Sequence, residues 1–399
     1  MIQKFPKEIT KKLNYLSKRE NVEIFNNKSF SKLVIEFLSE ISNSILKDKS
    51  LKKYPDLISY SFWARKRYLE LFKGKYETSS KFGRGLTFHI TPSNVALNFL
   101  YSFSFSLLAG NSNIVRLPSK EFKEVDIFLE IYKSLKKKKF RNIYNSNVFI
   151  KYNHDDQINN FFSSISDTRM IWGGDKTVNK FKSYETKPFC LDLNFPDRYS
   201  MSVINVKKLS KITDEEMKKL IINFYNDTYL FDQMACNSPH LIIWQNYNKN
   251  TVKNFWDQLR KYVKIKYKLD YSMVIDKFTK LQMEKLNNKN IETVVNFENN
   301  LTLVNLKKFS KDIICSKVGY GYFYQIKKGN LKEIIGNLDK KVQTLTYYGF
   351  DKLYFQKIIK KKAPIGIDRI VPIGQSSKMN LTWDGFDLIN NLSKHIEII

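Results

Sequence analysis

The sequence predicts an α/β protein organised around a doubly wound parallel sheet. Two observations carry that class. Five short apolar runs lie between residues 85 and 193, and amphipathic segments separate them. The texture also changes near residue 83, from helix-spaced apolar residues to this alternation of short elements.

Residues 1 to about 75 read as helical, with Leu33, Val34, Phe37, Leu38, Ile41 and Ile45 at helical spacing. The run 85–90 reads as a strand and 94–109 as a helix. The alternation Phe103-Ser-Phe105-Ser also suits a strand there, but length and the Gly110-Asn111 stop favour helix. Strands are expected at 113–117, 147–152, 169–172 and 188–193, with helices at 120–138, 154–164 and 175–184. A second unit is expected to begin near Tyr199. In it Thr213-Asp-Glu-Glu216 forms a capping box, and 241–244 reads as a strand. The organisation expected is a helical region over 1–75 packed on a nucleotide-binding domain over 76–198. A catalytic α/β domain over 199–370 and a C-terminal return or oligomerisation segment over 371–399 follow. No GxGxxG fingerprint is present.

The 399 residues carry 68 Lys+Arg against 39 Asp+Glu, a formal charge of +29. Such a balance first suggests a polyanionic partner. Only ten of the basic residues are arginine, the side chain suited to bidentate phosphate and base contacts, so nucleic acid is not expected. Three cysteines and four histidines at wide spacing exclude a disulfide scaffold and a closed zinc site. No apolar leader opens the chain and no run reaches the ~18 apolar residues of a membrane span, so a cytoplasmic protein is expected.

Three segments can carry chemistry. Cys236 follows a helix and precedes Asn-Ser-Pro, which reads as a turn; its thiol is either a buried small hydrophobe or a nucleophile activated by backbone N–H groups. Cys190 and Cys315 fall in apolar runs and read as core strand residues. Thr91-Pro92-Ser93-Asn94 joins a strand to a helix where such sheets bind ligands. Its alternatives are an ordinary helix cap and an active-site loop with the Asn94 amide as oxyanion donor. Arg116, Ser119 and Lys120 end the second strand without a carboxylate in the turn, which suits a ribose 2′-phosphate and so NADPH over NADH. Gly173-Gly174 permits close backbone approach to a cofactor.

An ordered set of motifs then resembles one family. It comprises Phe88-His-Ile-Thr-Pro-Ser-Asn-Val95, Ala109-Gly-Asn111, Ile114-Val-Arg-Leu-Pro-Ser119, Trp172-Gly-Gly-Asp175 and Asp197-Arg-Tyr-Ser200. Asp232-Gln-Met-Ala-Cys-Asn-Ser-Pro239, Gln343-Thr344, Asp368-Arg-Ile-Val-Pro-Ile-Gly374 and Trp383-Asp-Gly385 complete it. Together they resemble the LuxC family, long-chain acyl-CoA reductases of the aldehyde dehydrogenase superfamily. The resemblance implies an aldehyde-dehydrogenase-like fold and an acylated thiol at Cys236. It places Asn94 at the oxyanion and Arg116 at the adenosine ribose. Asp192 takes the place of the superfamily's general-base glutamate, one methylene shorter, as suits a reductase that must not hydrolyse its thioester. It further implies NADPH as reductant, an acyl-CoA substrate, an acyl-protein synthetase partner and a dimer or tetramer. A reductase for another activated carboxylate, such as a small or sugar-derived acid, is the alternative on the same scaffold.

Overall fold

The computed structural model describes residues 1–15, 20–93, 95–327 and 329–398, without the side chains of Tyr15 and Cys315. The expected oxyanion donor Asn94 thus lies outside the described residues. The chain divides into two units, one of residues 1–196 with 379–399, the other of residues 197–378.

In the first unit, helices α1 (Lys32–Lys47), α2 (Pro55–Trp63) and α3 (Lys66–Lys73) precede an alternation of strands and helices. These are β1 (Leu86–Ile90), α4 (Asn98–Ala109), β2 (Ser112–Arg116), α5 (Lys123–Ser134) and β3 (Asn147–Lys151). Next come α6 (Asp156–Ile165), β4 (Thr168–Trp172), α7 (Asp175–Lys182) and β5 (Leu191–Phe195). The six-stranded sheet has the order Asn14–Tyr15, β3, β2, β1, β4, β5, and all but the first strand run parallel. Every residue of β1 and β4 is buried, as a parallel sheet covered on both faces requires. The doubly wound expectation therefore holds element by element, with bounds shifted by a few residues.

Helix α4 resolves the ambiguity at Phe103–Ser106. All its residues except Tyr101 are buried, and its serines find partners. The Ser104 hydroxyl donates to Leu100 O and the Ser106 hydroxyl to Thr87 Oγ1. Back-bonding of this kind lets a serine-rich segment sit inside a core as a helix.

Three expectations are corrected. The first 31 residues are not a helical run: Ile2–Lys4 pairs with Asn21–Glu23, and Asn14–Tyr15 adds an antiparallel edge to β3. Sheet edges supplied by distant sequence override the local pattern there. Cys190 lies outside any strand, just before β5, with its N–H bonded to Lys187 O and its neighbour Phe189 fully displayed to solvent. Cys315 ends a short 3₁₀ helix, Lys311–Cys315.

The second unit holds β6 (Tyr199–Asn205), α8 (Asp214–Thr228), β7 (Pro239–Gln245), α9 (Lys249–Lys266) and α10 (Tyr271–Asn287). It continues with β8 (Ile291–Phe297), β9 (Leu301–Leu306), β10 (Tyr322–Ile326), β11 (Val342–Tyr348), α11 (Lys352–Lys362) and β12 (Arg369–Pro372). The seven strands are ordered β8, β9, β10, β7, β6, β11, β12, with only β8 antiparallel. The expected capping box opens α8, Thr213 and Glu216 satisfying each other's backbone N–H groups. Separate apolar clusters cover the two faces of this sheet, one around Tyr199, Leu241 and Tyr324, the other around Ile242, Trp244 and Phe323. Among the described residues, no helix is long and apolar enough to cross a membrane.

Candidate active site

Cys236 stands between α8 and β7 in a tight turn, Ala235–Ser238, closed by the Ser238 N–H on Ala235 O at 2.9 Å. It is half-buried. The approach to the turn is bent by two consecutive left-handed residues that are not glycine, Asp232 at φ 52° and Gln233 at φ 59°. Such a pair costs on the order of 1–3 kcal/mol per residue and persists only where the surroundings enforce it. Here they do. The buried Gln233 amide donates to Pro239 O (2.9 Å) and Tyr322 O (3.0 Å) and accepts from the N–H groups of Gly321 and Tyr322 (both 3.0 Å). Tyr267 donates to Asp232 Oδ1 at 2.7 Å.

Distant motif segments hold the turn itself. The Ser200 hydroxyl donates to Cys236 O at 2.7 Å and accepts from the Thr344 N–H. Asn237 Nδ2 donates to Ser376 Oγ at 3.2 Å. Arg198 pairs with Asp368, whose N–H meets Gln343 O, and Arg369 donates to Ser376 O. Segments 197–200, 232–239, 343–344 and 368–376 are thus joined around one cysteine. Asp227, at the end of α8 and almost fully buried, accepts the N–H groups of Gly374 (2.6 Å) and Ser376 (3.0 Å); burial pushes its carboxyl up to about 6.

His240 begins β7 with the ring buried against Tyr199 and neither nitrogen hydrogen-bonded; burial pushes it down to about 3, so it is neutral. The thiol of Cys190, in the first unit, is pushed up to about 11 by burial. A thiol held protonated is a poor nucleophile.

The first unit carries the expected cofactor residues at the C-terminal ends of its parallel strands. Thr91, Pro92 and Ser93 follow β1, Arg116 ends β2 with Ser119 and Lys120 beyond it, and Gly173-Gly174 follow β4. Strand order reverses between β1 and β4, the place where open α/β sheets bind ligands. The Arg116 guanidinium lies over the Tyr152 ring at 4.4 Å, and Ser119 and Lys120 are exposed. A Cβ added to Gly174 would meet no atom within 4 Å, so the backbone entering α7 faces open space. Strand ends with exposed cations and open backbone at the switch point suit the phosphates of a dinucleotide. The Thr91 hydroxyl instead ties two strand ends together, donating to Arg116 O at 2.7 Å.

Beneath that edge lies a buried polar network. His89 Nε2 meets Asn113 Oδ1 (2.9 Å) and Nδ1 meets the Ser102 hydroxyl (2.8 Å), which also accepts from Trp172 Nε1. Because Asn113 Nδ2 donates to Asn147, its oxygen faces the ring, which fixes the Nε2–H tautomer. Burial pushes His89 down to about 4. Asp192, in β5, has both carboxylate oxygens on Arg169, at 2.7 Å from Nε and 2.6 Å from Nη2.

Of the cysteine-side residues, Gln233 and Asn237 belong to the motif around Cys236. Asp227 carries no local signal, and Ser200 and Ser376 are 36 and 139 positions from the turn residues they hold.

A family model described as acyl-CoA reductase (LuxC) matches residues 7–303. None of the curated proteins compared with the chain matches it. Among solved structures the chain is similar to a NAD-dependent benzaldehyde dehydrogenase from Corynebacterium glutamicum, with 12% identity, TM-score 0.60, and 90% of this chain and 82% of that one covered. It is also similar to the glyceraldehyde-3-phosphate dehydrogenase GapN of Methanocaldococcus jannaschii complexed with NADP, at 13% identity, TM-score 0.59, and 91% and 88% coverage. An aldehyde dehydrogenase from Bartonella henselae aligns at 10% identity and TM-score 0.62 over 90% of this chain and 85% of that one. These likenesses give the fold and the family match gives the lineage: the chain belongs to the LuxC acyl-CoA reductase family and has the aldehyde dehydrogenase fold.

Proposed function

We infer that this protein reduces a fatty acyl-CoA to the aldehyde with NADPH, through a thioester on Cys236. The observation that carries the reading is the joining of four separated motif segments around the Cys236 turn. The Cys236 thiolate attacks the acyl carbonyl carbon, the new S–C bond forms, and the C–S bond to CoA breaks with release of the CoA thiol. The Cys236 N–H and the Asn94 amide take the oxyanion, each donor supplying on the order of 10²–10³ in rate. Arg116, Ser119 and Lys120 would hold the ribose phosphate of NADPH, with the Gly173-Gly174 backbone leaving room for its approach; bound there, it would supply the hydride that reduces the thioester. Cleavage of the remaining C–S bond returns the thiolate and frees the aldehyde.

Asp192 enters this reading as the counter-ion of Arg169, with no general-base role. Its two oxygens are engaged by a guanidinium, so activating water would break a partly buried, bidentate pair. A reductase benefits, because water competes with hydride for the thioester.

Incubation with a C8–C16 acyl-CoA series without NADPH is expected to give one acyl adduct, on Cys236, by intact-mass and peptide mass spectrometry. Cys236→Ala should abolish it. An adduct on Cys190 would sink the site assignment, and uptake of only short or sugar-derived acyl groups would favour the other carboxylate reading.

A further inference from the structure

We propose that Lys277 is a positioning residue whose ammonium clips two strand-entry loops together and so fixes the bend at Asp232-Gln233 that presents Cys236. The proposal rests on the reading of Cys236 as the nucleophile. Its basis is a continuous run of hydrogen bonds within the second unit.

Helix α10 turns the unexpected side chains inward. Tyr271, Ile275, Phe278 and Leu286 are exposed, while Lys277 is buried along with Leu281. Lysine is among the residues least often buried, so an inward lysine on a helix rich in apolar residues calls for partners. They are backbone carbonyls. Lys277 Nζ donates to Asn299 O and to Tyr320 O, the latter at 2.9 Å. Among the described residues no carboxylate pairs with it, and burial pushes it down to about 8, which leaves it charged at neutral pH.

The two carbonyls belong to different loops. Asn299 lies in the turn between β8 and β9, and Tyr320 in the approach to β10. Strands β9, β10 and β7 are parallel neighbours, so both loops enter the sheet at the end where the Cys236 turn enters β7. The approach to β10 consists of three consecutive left-handed residues, Gly319 at φ +84°, Tyr320 at φ +57° and Gly321 at φ +76°. Tyrosine keeps such a conformation only where its surroundings enforce it. Here both of its backbone groups are taken: Lys277 holds the carbonyl, and the N–H donates to Asp232 O at 2.9 Å. The next two N–H groups, of Gly321 and Tyr322, donate to the Gln233 side chain.

Two left-handed stretches therefore interlock, one before β10 and one before Cys236. The fit is close. A Cβ on Gly319 would lie 2.6 Å from Met234 Sδ, and one on Gly321 would lie 2.2 Å from Asn300 O. Lys277 ties this interlocked pair to the turn at Asn299, and four positions beyond Asp232 stands the thiol. Methionine at position 277 keeps the length of the side chain and donates nothing. The Tyr320 peptide is then free to turn, and the Asp232-Gln233 bend loses a support.

Single-turnover acylation of Cys236 by acyl-CoA tests this in wild type, Lys277→Met, Lys277→Arg and Lys277→Ala, beside alkylation by iodoacetamide. Misplacement of a reacting group by a fraction of an ångström costs about 10-fold, approaching 10²-fold at 1 Å. Lys277→Met should acylate about 10-fold more slowly at saturation, with half-saturation within about 2-fold of wild type. Donors returned to the site should return the rate. Lys277→Arg, or Lys277→Ala supplied with propylammonium, should recover about half or more of the loss on a logarithmic scale, whereas sodium at equal concentration recovers none. An unchanged rate in Lys277→Met, a change confined to half-saturation, or no recovery by either donor overturns the proposal. If Lys277→Met does not fold, Lys277→Gln, whose stem is too short to reach both carbonyls, takes its place with the same expectations. If wild type accepts no acyl group, the functional reading fails; the iodoacetamide rates then decide the clip, and a variant within about 2-fold of wild type overturns it.

Discussion

His240 shows how a residue that looks chemical can be a cost to the fold. It stands four positions after Cys236, yet its ring is 1% exposed, neither nitrogen has a hydrogen-bond partner, and it is held neutral near 3. His89 is neutral as well, near 4, but its network satisfies both nitrogens. The unfolded chain protonates both rings near 6.5, while the folded chain does not. Protons therefore favour the unfolded state, and stability falls as pH drops from about 6.5 towards 4. From pH 7 to 5 each ring removes about 2 kcal/mol. Asp227 has the opposite sign: held near 6, it binds a proton in the folded chain that the unfolded chain has lost, so stability falls as pH rises from about 4 to 6. Denaturant unfolding of His240→Leu at pH 7 and 5 checks the argument. The variant should keep or gain stability at pH 7, since a buried unsatisfied group costs ~1–3 kcal/mol. It should also lose less than wild type at pH 5, and an identical pH dependence would refute the assignment.

Among the elements, the end of α4 is held tightly by backbone contacts. Gly110 closes the helix at φ +100°, and a Cβ there would lie 2.1 Å from Asn27 O. That same oxygen accepts the Gly83 N–H, and Asn27 N–H donates back to Gly110 O. Three segments meet at one point that only glycine backbone can occupy. Gly110→Ala is expected to lower stability by at least about 2 kcal/mol, combining the left-handed penalty with the clash. Thermal or denaturant unfolding measures it, and a loss under about 0.5 kcal/mol would show that the junction relaxes. The sequence marked this stop correctly because glycine after an apolar run has a local meaning. It could not mark the strands at residues 2–4 and 21–23, whose partners supply the reason for their shape.

The charge of +29 belongs to the whole molecule. The described ion pairs use a minority of the lysines, and Lys360–Lys362 stand in the last turn of α11, where cations favour the helix dipole. For the function proposed, both acyl donor and reductant are polyanions, so a diffuse positive field should speed encounter. Raising salt from about 20 to 500 mM shortens the screening length from about 20 Å to about 4 Å. The kcat/KM for acyl-CoA is then expected to fall several-fold, with kcat little changed. Salt independence would leave the charge without a role in substrate capture.

The sequence by itself determined the alternation of elements, the capping box of α8 and the family motifs, whose resemblance singles out Cys236 as the candidate nucleophile. Each depends on a few neighbouring residues whose chemistry has one common reading. Tertiary structure alone decided what holds that cysteine. Gln233 bridges two strand entries, Ser200 reaches Cys236 from another strand, and Asp227 meets Ser376 across 149 positions of chain. It also decided that Asp192 binds Arg169 and that Cys190 is a protonated thiol beside a loop. The reason is physical: local sequence sets backbone preference and side-chain type. The protonation, orientation and strain of a site come from burial and from partners that only folding brings together.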